Sequence, residues 1–285
     1  MDEISSVYMV RLMYEAEPAV SEEDVLERLT ARIGEVELMR PSDVPQPELQ
    51  DALNFVFPSF RVRYADGSEI PVGCNMIMLE LKPRDWEGDH DLVQSWNWRQ
   101  AKLVVPNCRW SIMVNDFLAL GLPYKDRLAL FHNIVMSVLD VAPCSAIHWM
   151  PSQQFIDPAS YVLTKDSPDP DPIYPAINVR LYNIQDREPG ECVMDSIGIA
   201  ALGGLDVQCH FVGLDPTDVA QMIGNSAYYI FNQGDIIKDG ETIQGIGEGT
   251  RWKCRHEDAL VPPGRPVLDI DPGPPYSAGE REVRE

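Results

Sequence analysis

No two of the six cysteines stand close enough to form a Cys-x-x-Cys pair: Cys74, Cys108, Cys144, Cys192, Cys209 and Cys254 occur singly. That scatter excludes a zinc-ribbon, a thioredoxin-type redox motif and a disulfide scaffold, and leaves the thiols as small, reduced, buried side chains. No apolar run approaches the ~20 residues that cross a bilayer. The start, Met1-Asp-Glu-Ile-Ser-Ser, lacks the basic beginning and apolar core of a signal peptide. The expectation is a cytoplasmic protein that does not engage a membrane. Basic residues are scarce as well, with 23 Lys and Arg against 45 Asp and Glu, for a net charge of -22 over 285 residues. The acids are spread along the whole chain, and such a field repels nucleic acid while drawing in a basic protein.

Complete catalytic motifs are also missing. His256-Glu-Asp-Ala-Leu260 begins like a zinc-protease helix, but no second histidine follows and Pro262-Pro263 forbid the helix. Gly245-Ile-Gly-Glu-Gly249 has the glycines of a phosphate loop without the Gly-Lys-Ser/Thr that would hold the phosphates, so it reads as a loop or hairpin. Met194-Asp-Ser-Ile-Gly198 lacks the first glycine of a nucleophile elbow. No cofactor is expected.

What is present is a globular composition, 45% hydrophobic and 24% charged, patterned as strands and a few helices. Val7–Tyr14 reads as a strand, Ser21 caps a helix that Gly34 ends, and Val36–Met39 follows as a short strand. Leu53–Phe57, Phe60–Tyr64 and Val72–Leu81 read as further strands. Trp96 and Trp98 read as plugs at the edge of a core. A second strand, helix and strand run through Cys108–Val114, Tyr124–Asp140 and Ser145–Met150, with His132 on the apolar face of the helix. Ser167-Pro-Asp-Pro-Asp-Pro172 must be extended, so residues 156–175 read as a connector. Beyond it come strands at Ala176–Ile184 and Val207–Phe211, a helix opened by Asp215-Pro216 and closed by Gly234, and a hairpin between Ile236 and Ile243 turning at Asp239-Gly240. The reading is α+β: two associated sheet-and-helix halves, residues 1–155 and 176–273, with mostly antiparallel or mixed sheets, and a charged tail over 274–285.

The densest chemistry lies between Gly249 and Gly273. In an extended strand Trp252, Cys254 and His256 point one way while Lys253, Arg255 and Glu257 point the other. Trp252, Arg255, His256, Glu257 and Asp258 are the candidate binding residues. Arg251, Lys253, Arg255 and Arg265 are available for ion pairs with Glu257, Asp258, Asp269 and Asp271, or Arg255 and His256 read a small anion. No catalytic set is assigned. The alternative is an enzyme using Cys254, His256 and Glu257, or a metal held by Cys209, Cys254 and His256; strand alternation works against the latter, since adjacent Cys209 and His210 face opposite sides.

The segments Asp195-Ser-Ile-Gly-Ile-Ala-Ala-Leu-Gly, Leu205-Asp-Val-Gln-Cys-His-Phe, Ala227-Tyr-Tyr-Ile-Phe-Asn-Gln-Gly-Asp and Trp252-Lys-Cys-Arg-His-Glu-Asp resemble the bacterial domain-of-unknown-function family numbered four-two-six-one, most securely over about Glu191 to Pro272. The resemblance brings no catalytic residue to carry over. By the gene-neighbourhood habit of similar families it implies an immunity-type or effector-associated role. Together with the charge, the expectation is a non-catalytic protein-interaction module with a basic partner.

Overall fold

Alternating apolar side chains make Met9–Tyr14 a strand (β1) in the middle of a sheet. The computed structural model describes residues 7–40, 52–185 and 189–279; the first six residues, on which the reading of the N-terminus rests, lie outside them. The chain forms two compact units that meet in sequence between Pro175 and Ala176. Each unit is α+β.

In the first unit helix α1 (Glu22–Ile33) starts where Ser21 Oγ accepts the Asp24 amide at 3.1 Å, and it stops at Gly34, whose φ is +103°. Strands β2 (Glu37–Leu38), β3 (Leu53–Arg63), β4 (Glu69–Glu80) and β5 (Trp110–Phe117) follow. The stretch read from sequence as two strands is one, β3, with a register shift between Phe57 and Arg61. Pro58 lies in that shift, where its missing N–H costs no ladder bond. Short helices α2 (His90–Val93) and α3 (Ala101–Val104) lie between β4 and β5, then come α4 (Tyr124–Val141), β6 (Ala146–Trp149) and β7 (Gln154–Ile156). The sheet order is β2-β3-β4-β5-β1-β6-β7, antiparallel throughout. On one face Val10, Leu12, Phe55, Phe57, Cys74 and Val114 are fully buried, and Phe131 of α4 meets Tyr8 and Trp149 edge-on. On the other, Met13, Ala146 and Phe155 pack under Leu92, Ala101, Val105 and Cys108, with Trp86 and Trp98 against them. His132 is buried as expected, with Nδ1 2.9 Å from the Tyr161 hydroxyl.

Residues 156–175, read as a connector, are not bare chain. Asp157 accepts the amides of Ala159 and Ser160, Pro158 takes the first turn, and α5 runs from Pro158 to Lys165 with Tyr161 buried. The prolines bar a helix only beyond Asp166.

The second unit holds β8 (Asn178–Asn183), β9 (Cys192–Ile197), β10 (Asp206–Phe211), α6 (Pro216–Gln233), β11 (Thr242–Gln244), β12 (Arg251–Asp258) and β13 (Pro266–Asp271). Their order is β11-β12-β13-β10-β9-β8, with β10 and β13 parallel and the other pairs antiparallel. Helix α6 opens on Asp215 as the sequence predicts, and lies against β8, β9 and β10 with Val219, Ile223, Ala227, Ile230 and Phe231 buried. The expected hairpin is displaced: Asp239-Gly240 is a turn, but β11 begins at Thr242 and pairs with β12 across the loop 245–250. Part of the expected tail is folded, since Ser277 bridges Phe211 and Val212 donates to the Tyr276 carbonyl at 2.9 Å. The rest of it, 280–285, lies outside the described residues. Among the described residues no helix is long and apolar enough to cross a membrane.

Candidate functional site

Strand register in the second unit sorts the chemistry onto two faces. Arg255 of β12 stands opposite Asp269 of β13, Asp269 opposite Gln208 of β10, Gln208 opposite Asp195 of β9, and Asp195 opposite Arg180 of β8. A row of polar residues therefore crosses five strands on one face. Arg180 donates through Nε to Asp195 at 3.0 Å and also through Nη2. Arg265 donates from Nη2 to Asp195 at 2.6 Å and from Nε to Asp206 at 2.8 Å, and the side chains of all four residues are fully buried. Burial works against the Arg265 charge, but Asp206 and Asp195 outweigh it and raise its pKa. Burial pushes the Asp206 carboxyl up, against the pull of Arg265. Gln208 accepts the Leu260 amide at 3.0 Å, which ties the 259–265 loop over the row.

The ion pairs expected within the 251–271 run are thus replaced, for Arg265, by partners 59 and 70 residues away. Asp195 and Asp206 lie in the segments that carry the family resemblance, but sequence assigns no role to them or to Arg180. Their signal was a charged residue inside an apolar strand, as in Val193-Met194-Asp195-Ser196-Ile197, since a carboxylate enters such a position only with a partner.

The other face carries Trp252, Cys254 and His256. Trp252 is 3% exposed, and its indole lies so close to Gly245 that a Cβ there would collide with it. Cys254 is fully buried, and burial pushes its thiol up to about 11, far from a reactive thiolate. Cys209 is fully buried too, two strands away across β13, a separation of about 9.5 Å at ordinary strand spacing. His256 turns outward, with Nδ1 2.6 Å from Asp239 and Nε2 3.0 Å from Asp235. Its backbone N–H also donates to Asp239 at 2.8 Å. Both ring nitrogens face carboxylates, which fits the doubly protonated imidazolium, and the Asp239 bond first, then Asp235, raises the pKa of His256 against the effect of burial.

The residues named from sequence are consequently not gathered. Glu257 alternates to the face opposite Cys254 and His256, Arg255 joins the polar row, and Asp258 is exposed at the end of β12. Cys209, Cys254 and His256 do not converge, and among the described residues no three His, Cys, Asp or Glu side chains are grouped to hold a metal.

Sequence reading passed over a groove of about 890 Å³ beside this strand. Its walls are Met222, Asn225 and Tyr229 of α6 on one side, and Ile236, Ile237 and β11 on the other. Tyr229 and Ile236 are 46% and 52% exposed. Trp252 stands opposite Ile243 in the ladder, on the same face of the sheet. The loop between α6 and β11 bends at Gly234 and Gly240, whose φ values are +80° and +83°, and the His256 clasp fastens it to β12.

No curated protein and no solved structure matches the chain. Residues 195–271, from Asp195 of the polar row to the end of β13, match the family model described as Domain of unknown function (DUF4261).

Proposed function

We propose that this chain is a non-catalytic, cytoplasmic protein-interaction module that binds a basic protein partner, in the manner of an immunity-type or effector-associated protein. The observation that carries the reading is how the charge is distributed. The guanidinium groups of Arg180 and Arg265 are spent on buried carboxylates, while Asp215, Asp218, Asp235, Asp239, Glu248 and Asp258 remain on the surface of the second unit in a chain of net charge -22. Such a surface speeds encounter with a cation and selects against acidic partners. Cys254 supports the same reading, because a fully buried thiol with a raised pKa offers no nucleophile.

The test is affinity capture on the full chain in lysate of its native host, followed by titration with the purified captured protein. A partner of net positive charge whose affinity falls with added salt is expected. An acidic partner, or a salt-independent affinity, rejects the reading. So does a small-molecule turnover that Cys254→Ser and His256→Gln abolish while the fold is intact.

A further inference from the structure

We propose that Arg11 and Arg84 form a binding site for a small phosphate-type dianion on the first unit, a site that stands independently of the basic-partner reading. Arg11 lies on β1 between Met113 of β5 and His148 of β6, on the sheet face that Trp86 and the short helices cover. It is half-buried, and among the described residues it is the only Arg, Lys, Asp or Glu with a buried side-chain polar atom, Nε, that has no hydrogen bond. A chain with 45 acids for 23 bases has carboxylates to spare, and a desolvated charge is ordinarily met by one. Arg11 is met by another cation instead. Burial first and then Arg84 lower its pKa, and among the described residues no acid acts against them.

The acids on this face are spent on other groups. Asp89 Oδ1 accepts the Leu92 amide at 3.0 Å, and its Oδ2 accepts from Arg84 Nη2. Asp91 Oδ2 lies 2.8 Å from His148 Nε2, and its Oδ1 lies 3.1 Å from His90 Nδ1. All four carboxylate oxygens thus have partners, and Arg11 is none of them. Arg84 keeps donors in hand, because it gives Asp89 one N–H of its five and lays its plane on Trp86, 3.6 Å from the ring centroid. Two guanidiniums that repel each other select the occupant. A dianion between them answers both charges, and a tetrahedral oxyanion offers acceptors to forks arriving from β1 and from the segment after β4, whereas a planar carboxylate is saturated by one fork.

The experiment titrates the full chain, labelled at arginine, with inorganic phosphate, glycerol phosphate and acetate at matched ionic strength, and follows the arginine Nε–H signals by NMR. Saturable shifts at Arg11 and Arg84 are expected with the two phosphates and not with acetate. A tighter fit of glycerol phosphate supports the site and names a monoester as its source; equal affinity supports it with the free anion. Arg11→Met is expected to weaken binding about tenfold or more, and Arg11→Lys, which keeps the charge without the fork, to weaken it less. Arg63→Gln, which removes the same charge from a side chain 76% exposed, leaves it unchanged. Without phosphate, Arg11→Met is expected to hold or raise the thermal midpoint, since an unpaired buried charge is gone, and to lose the rise that phosphate gives the parent chain. Phosphate binding indifferent to both Arg11 variants, no saturation at millimolar phosphate, or an equal midpoint rise in every variant overturns the site. Acetate as effective as phosphate overturns the choice of a dianion. None of these results touches the basic-partner reading, which is tested by capture.

Discussion

Arg265 holds two buried carboxylates, Asp195 and Asp206, with one guanidinium, and it also donates to the Ser196 carbonyl at 2.8 Å. Removing it leaves the buried Asp206 carboxyl without its guanidinium and Asp195 with Arg180 alone, which is the expensive way to break a buried ion pair. Arg265→Met is therefore expected to cost about 3–5 kcal/mol in urea denaturation. Arg265→Lys is expected to recover only part of that, because a single ammonium cannot bridge both acids as a fork does. Adding Asp206→Asn to Arg265→Met is expected to be less damaging than Arg265→Met alone; a double variant as unstable as the sum of the singles would show that the pairs do not act as a unit. At this scale the sequence was only partly legible. The abundance of charge near Arg265 pointed to local partners, whereas the partners come from β9 and β10, brought alongside by strand order. Residue type told that a buried charge needs a partner; only register told which one.

Among the elements, helices were the most legible and strand pairing the least. Asp215-Pro216 and Gly234 bound α6 as read, because capping is local chemistry within a few residues. The displaced hairpin shows the opposite case. Asp239-Gly240 is a turn, but the chain before it is held by His256 from another strand and forms no ladder. That clasp carries a pH dependence with a defined sign. The His256 pKa is raised above its ordinary 6.5, so its contribution is complete below about 6.5 and is lost as pH rises through the higher folded value. Asp239 is lowered from its ordinary 3.8, chiefly by the His256 backbone amide and then by its ring. Its contribution therefore persists from above 3.8 down to the lower folded value, and is lost as pH falls through that value. Protection from hydrogen exchange in the 234–241 loop, taken relative to the intrinsic rate at each pH, is thus expected to be greatest between these limits and to fall on the alkaline side. His256→Gln is expected to remove that alkaline fall in protection. A His256 imidazole titrating at or below 6.5 by NMR would contradict the clasp.

Across the whole molecule the fold class followed from patterning, since alternation and helical spacing demand two-layer packing whatever the pairing. The groove between α6 and β11 did not, because it is bounded by a helix and an edge strand whose juxtaposition no local pattern encodes. The global charge, by contrast, is read directly, and it makes opposite demands on folding and on association. At net charge -22 the exposed acids repel one another, so added salt is expected to raise the thermal midpoint by screening that repulsion within a Debye length of about 10 Å at 0.1 M. The buried pairs of Arg180 and Arg265 are shielded from ions and do not reverse the trend. Attraction for a basic partner is screened by the same ions, so its association rate is expected to fall about tenfold or more between roughly 0.05 and 0.5 M NaCl, with a smaller change in dissociation rate. Thermal melts and stopped-flow binding over one salt series decide both. A midpoint that drops with salt would mean that surface ion pairs, rather than repulsion, govern stability. A rate that does not change would mean that the acidic field takes no part in recognition.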